Sequence, residues 1–148
     1  MFRPKVILHP TDFSQHSQIA FLQSVELAQQ FGARLVVLHV VETLGPENVT
    51  FGEVATQLEP AGYQQRLLAE VRQIQPPPSA NIVVEHLLAE GDPAAEIARV
   101  AREQGCGLIV MGTHGRTGLR RLVMGSVAEH VIRHAVCPVL VVPLPPAL

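Results

Sequence analysis

Apolar residues fall along this chain in two alternating textures. Short unbroken runs, Val6-Ile-Leu8, Leu35-Val-Val-Leu-His-Val-Val41, Leu108-Ile-Val-Met111 and Val139-Leu-Val-Val142, carry almost no polar interruption. A fifth run, Ile82-Val-Val-Glu-His-Leu-Leu88, is less pure. Branched residues without period-two alternation predict strands buried on both faces, as in a parallel sheet covered by helices. Between the runs the apolar spacing becomes helical. Ser14 to Phe31 places Phe21, Val25 and Ala28 on one side and stops at Gly32, a C-terminal cap. Tyr63, Leu67, Val71 and Ile74 mark a second helix. Asp92-Pro93 opens a third, with Asp as N-cap, Pro at the first helical position, and Ala94, Ile97, Ala98 and Ala101 facing the core. A fourth opens at Ser126 and carries Ala128, Val131, Ile132 and Ala135 at helical intervals. The order β-α-β-α-β-α-β-α-β predicts one three-layer α/β domain over residues 1–148 with right-handed crossovers. Glu42 to Pro60 and Gln75 to Ser79 read as loops, and the first is long enough to lie over a ligand site.

Composition supports one folded domain and narrows the function classes. With 47% hydrophobic and 16% charged residues among 148, the chain can bury a substantial core. A net charge of −2 does not supply the clustered basic surface that nucleic-acid binding needs. Trp is absent and aromatics make up 4%, which leaves little for stacking on bases. Cys106 and Cys137 have neither metal nor redox-motif spacing, and spacing alone leaves a disulfide open. The N-terminus runs directly into a strand pattern, and no apolar run approaches the ~20 residues of a membrane span. The expectation is a cytoplasmic protein with no membrane and no nucleic-acid partner.

The densest chemical signal is Gly112-Thr-His-Gly115, nine residues, then Gly125-Ser126. A glycine-rich passage from a buried strand into a helix start lets backbone approach an anion, and the helix adds unpaired N–H groups and a positive dipole end. Turn-forming glycines in a long loop would show the same spacing, so spacing alone leaves both readings open. In open parallel sheets ligands bind beyond the carboxyl ends of strands, where the strand order reverses. Three pieces fall at such ends: Pro10-Thr-Asp12, Val40-Val41-Glu42 and the loop from Met111 to Ser126. Asp12 reads first as the N-cap of helix one, with Gln15 at capping-box spacing, and second as an acceptor for ribose or adenine. Ser126 likewise opens a capping box with Glu129 while still able to offer a hydroxyl to a phosphate. Arg116, Arg120 and Arg121 put positive charge in the loop, as phosphate donors or as solvated charge. His114 contacts ligand or caps the loop. His39, within an apolar strand, reads as a buried, satisfied histidine, and His130 and His134 lack a third metal ligand.

Other sites are missing. There is no Gly-x-Gly-x-x-Gly after the first strand, no P-loop lysine motif, no Gly-x-Ser-x-Gly elbow and no paired-carboxylate cluster.

Taken together, Lys5-Val-Ile-Leu-His-Pro-Thr-Asp-Phe-Ser14, Leu38-His-Val-Val41, Leu108-Ile-Val-Met-Gly-Thr-His-Gly115, and Gly125-Ser-Val-Ala-Glu through Cys137-Pro-Val-Leu-Val-Val142 resemble the universal stress protein family, in its ATP-binding branch. The resemblance implies a five-stranded parallel, Rossmann-like sheet in the order 3-2-1-4-5, with ATP and Mg over strands one and four. It implies that Pro10, Thr11 and Asp12 line the adenosine and that Val40 and Met111 contact adenine. Gly112, Gly115, Gly125, Ser126 and Val127 would hold ribose and phosphates, with His114 and Arg116 in the same loop. It further implies a regulatory, stress-response module that is not an enzyme beyond slow ATP hydrolysis. The alternative is a slow Mg-dependent ATPase or nucleotidyl-transfer enzyme using the same site. A homodimer through Val139–Val142 and an unidentified protein partner complete the expectation.

Overall fold

The computed structural model describes residues 1–42, 60–113 and 124–145. Within them the chain forms β1 (Val6–Pro10), α1 (Gln15–Phe31), β2 (Arg34–Val41), α2 (Pro60–Arg72), β3 (Val84–Glu90), α3 (Pro93–Glu103), β4 (Leu108–Gly112), α4 (Ser126–His134) and β5 (Val139–Val142). The five strands make one parallel sheet in the order β3-β2-β1-β4-β5. Strand order therefore reverses between β1 and β4, as expected.

The apolar runs behave as continuous runs should, because both sheet faces are covered. Ile7, Leu35, Val37, Leu108 and Val110 turn toward Phe21, Val25 and Ala28 of α1 and Val71 of α2. Their neighbours Leu8, Val36, Leu38, Ile109 and Met111 turn the other way, toward Ile97 and Ala101 of α3 and Ala128 and Val131 of α4. Each such buried aliphatic side chain contributes about 1.5–3 kcal/mol of transfer free energy. No described helix is long and apolar enough to cross a membrane.

Helix limits follow local chemistry. Gly32 ends α1 in the left-handed region at φ 63°, its N–H reaching back to the carbonyls of Ala28 and Gln29. Asp92 caps α3 through the Ala95 N–H, with Pro93 at the first position, as the sequence indicates. Other expectations need correction. Ile74 lies just beyond α2, its N–H on the Val71 carbonyl. The third strand begins at Val84 rather than Ile82 and runs to Glu90, because its register against β2 starts with Leu35 opposite Val84. Ile132 is 43% exposed rather than in the core. Helix α4 is covered along the Ala128–Val131 line, and Ile132 falls one residue off it. The segments 43–59 and 114–123 lie outside the described residues, and with them the expected lid loop, Arg120 and Arg121.

The first turn of α1 sits directly on the end of β4. A Cβ on Gly112 would stand 2.9–3.0 Å from the Cβ and backbone carbonyl group of His16. Glycine is therefore required at 112 by helix-on-strand packing. Replacing Gly112 by Ala should destabilise the protein by about 1–3 kcal/mol, since rigid backbone must move aside. Urea unfolding would measure this, and an unchanged midpoint would contradict the close seating of α1.

Candidate functional site

Strand alternation sorts the residues that the sequence brings to the β1–β4 crevice. Met111, Val40 and Val127 belong to the apolar cluster on the α3–α4 face. The side chains of His9 and Phe13 and the close approach at Gly112 belong to the α1 side. The crevice is thus one place along the chain with two faces in space.

The turn from β1 into α1 is a compact hydrogen-bonded corner. Thr11 N–H donates to the Leu38 carbonyl at 2.8 Å, and Phe13 N–H donates to Thr11 Oγ1 at 3.1 Å. Phe13 takes φ 66°, uncommon for a residue with a ring. The strained residue is held from both sides. Its ring lies 4.5 Å from that of His39, and His39 Nδ1 meets the Thr11 carbonyl at 2.8 Å. His39 is thus satisfied, as expected, but half-buried.

Asp12 is not the N-cap of α1. That role falls to Ser14, whose Oγ accepts from the Ser17 N–H at 3.2 Å. The left-handed turn at Phe13 delays the helix by two residues. Asp12 Oδ1 instead accepts from the Ser14 N–H at 3.0 Å and the Ser17 hydroxyl at 2.7 Å. It holds the corner in which it sits.

At the opposite lip, α4 begins differently from α1 and α3. Ser126 is its first residue and Gly125 is the N-cap, so the expected Ser126–Glu129 capping box does not form. Gly125 has no side chain to offer and makes no cap bond, whereas α1 and α3 are capped by Ser14 and Asp92. Its N–H donates to the Thr113 carbonyl at 2.7 Å, tying the helix start to the end of β4. Gly125 has φ −64°, a value any residue adopts, so backbone conformation does not demand glycine there. Thr113 Oγ1 lies 3.4 Å from His16 Nδ1, across to α1. His114, Gly115 and Arg116 lie outside the described residues.

One polar residue at this end escaped the sequence reading. His9 is fully buried, with Nδ1 2.9 Å from the Val110 carbonyl and Nε2 without a partner. Since a carbonyl only accepts, Nδ1 carries the proton and Nε2 is a bare acceptor. A polar residue in the second half of an apolar strand was the available signal. Burial pushes the His9 imidazole down from 6.5 to about 4, against smaller opposing effects of the Val110 carbonyl and the Asp12 charge. The two cysteines are free, and burial raises both thiols, Cys106 to about 11. His130 and His134 are exposed, and His134 Nδ1 is already 2.9 Å from the His130 carbonyl.

The chain is similar to known proteins over nearly its whole length. The Universal stress protein family pattern matches residues 4–143. Universal stress protein MJ0531 of Methanocaldococcus jannaschii is 39% identical over 145 residues, covering 95% of this chain and 83% of that protein. The solved structure of MJ0577, from the same organism, superposes with a TM-score of 0.80 at 28% identity, over 97% of this chain and 98% of that one. A universal stress protein of Archaeoglobus fulgidus, solved in complex with dAMP, shares the fold at 23% identity and a TM-score of 0.57, over 95% of this chain and 98% of that one.

His9 makes stability depend on pH in a defined sense. Its folded pKa lies below its unfolded value, so protons bind preferentially to the unfolded chain between the two. Its contribution is complete above pH 6.5, declines as pH falls toward 4 and is then lost, a total of roughly 3 kcal/mol. Unfolding free energies across that range should fall less steeply for His9→Gln than for the wild type. Parallel profiles would contradict the assignment.

Proposed function

This chain belongs to the universal stress protein family, and we propose that it is an ATP-binding regulatory module carrying the nucleotide, with Mg, at the carboxyl ends of β1 and β4. The observation that carries the reading is the start of α4. Its N-cap is a glycine with no cap bond, next to the point where strand order reverses. A helix N-terminus of this kind presents N–H groups and a positive dipole end to an anion. Gly125, Ser126 and Val127 would receive the phosphates there, with Gly112, Gly115, His114 and Arg116 completing the loop.

Met111, Val40 and Val127, packed against a single apolar cluster, offer a surface suited to a base. Pro10 and Asp12 border it at the exit of β1. The A. fulgidus relative was solved with dAMP. For the present chain the preference for adenine is part of the proposal. Asp12 is committed to Ser14 and Ser17 through Oδ1, which suits a group that shapes a binding site better than one that moves protons. Binding rather than turnover is therefore the proposed role.

The proposal extends to a homodimer. Strand β5 is a sheet edge, and Leu140 on it is 38% exposed, near Val136 at 62% on the preceding turn. Exposed apolar edge strands invite pairing, and a second copy would cover this one.

Calorimetry should show saturable binding of Mg·ATP and much weaker binding of GTP. Gly125→Val should abolish ATP binding, because a side chain at this buried helix start occupies the approach to it; φ −64° itself suits valine, and circular dichroism checks that the variant keeps its fold. Undiminished affinity in that variant would contradict the placement. Sedimentation should give a dimer for the wild type and a monomer for Leu140→Lys, and a monomeric wild type at tens of micromolar would remove the dimer.

A further inference from the structure

The α1 face of the sheet contains a cavity, separated from the α4 start by the sheet itself. It measures about 390 Å³ and lies between the first half of α1 and the segment that follows α2. The rings of Phe13 and Phe21 and the aliphatic side chains of Leu22 and Ile74 supply apolar walls, and the amides of Gln18 and Gln73 lie among its lining. Its volume is within the range of small-molecule sites, which combine mostly apolar walls with a few placed polar groups. Among the described residues, no acidic or basic side chain other than the imidazole of His9 lines it.

His9 is the residue that gives this cavity a chemistry. It lines the cavity while being fully buried, its ring 5.7 Å from that of Phe21. Val110 holds Nδ1–H, so the unpartnered Nε2 is a fixed hydrogen-bond acceptor. Buried polar atoms are ordinarily paired, and one left unpaired directly behind a cavity wall can be met by a donor from outside the chain when the flanking side chains give way. A mostly apolar cavity whose buried, unpartnered group is the acceptor Nε2 favours an uncharged, planar molecule bearing an N–H or O–H. A cation would lose its hydration there without a carboxylate to replace it, and an anion would meet a lone pair.

We propose that this cavity is a binding site for a small uncharged aromatic molecule whose N–H or O–H donates to His9 Nε2. The site is distinct from the proposed nucleotide site, and its assignment does not depend on that reading. The two share a wall. Phe13 lines the cavity, and Asp12, its neighbour in the Thr11–Ser14 corner, stands at the other site. An occupant that braces Phe13 would act on a corner that both faces use.

The test uses the full chain labelled with 15N and 13C, titrated with indole and phenol and, as controls without a donor, 1-methylindole and anisole. Indole or phenol should give saturable shifts at His9, Phe13, Phe21 and Ile74, and should move the His9 Nε2 resonance in the direction of an accepted hydrogen bond. The matching control should bind at least tenfold more weakly. Ile74→Trp, at a half-exposed position on the rim, should fill the space and abolish binding in a folded protein. His9→Phe, if folded, should remove the difference between indole and 1-methylindole. Absence of saturable shifts with both donors, equal affinity for donor and control, or full binding by Ile74→Trp would each overturn the proposal.

Discussion

Because β1 is flanked by β2 on one side and β4 on the other, its backbone is hydrogen-bonded along both edges and cannot slip. A shift of one residue would exchange its faces and carry Ile7 and Leu8 into each other's clusters. This constraint holds the rest of the molecule in place. The strand delivers its last residues to the point where strand order reverses, the place of the proposed nucleotide site. The corner that follows is locked by Thr11, Asp12, Ser14 and Ser17, with Phe13 held in a left-handed conformation against His39. Helix α1 can then settle on Gly112 so closely that no side chain fits.

The three helices whose starts are described in full divide into two kinds. Those beginning α1 and α3 close their first turn with their own Ser and Asp, and they serve the fold. Helix α4 starts on a glycine with no side-chain cap bond, and the proposed phosphate site rests on that difference.

Much of this was legible in the chain. Unbroken runs such as Leu35–Val41 required a sheet covered on both sides, and Gly32 and Asp92-Pro93 marked helix limits by local chemistry alone. Family resemblance supplied the strand order, which periodicity does not contain. The caps at Asp12 and Ser126 were misread because capping spacing records which residues are able to cap. Which one does depends on the backbone path, and the left-handed Phe13 moved the helix start to Ser14. Glycine at 112 is expected as a ligand contact, and the folded chain adds a packing requirement from His16, a residue 96 positions away in sequence. His9 was hidden by its setting. One histidine in an apolar strand looks like another, and only three-dimensional packing reveals that His39 is satisfied while His9 keeps a bare nitrogen.

The central claim is that the uncapped start of α4 receives the nucleotide's phosphates. The most direct measurement follows backbone amide resonances during titration with Mg·ATP. The account predicts that the amides of Ser126, Val127 and Ala128 show the largest saturable shifts, and that their apparent affinity matches the calorimetric one. Saturable ATP binding that leaves those three amides unmoved would contradict it.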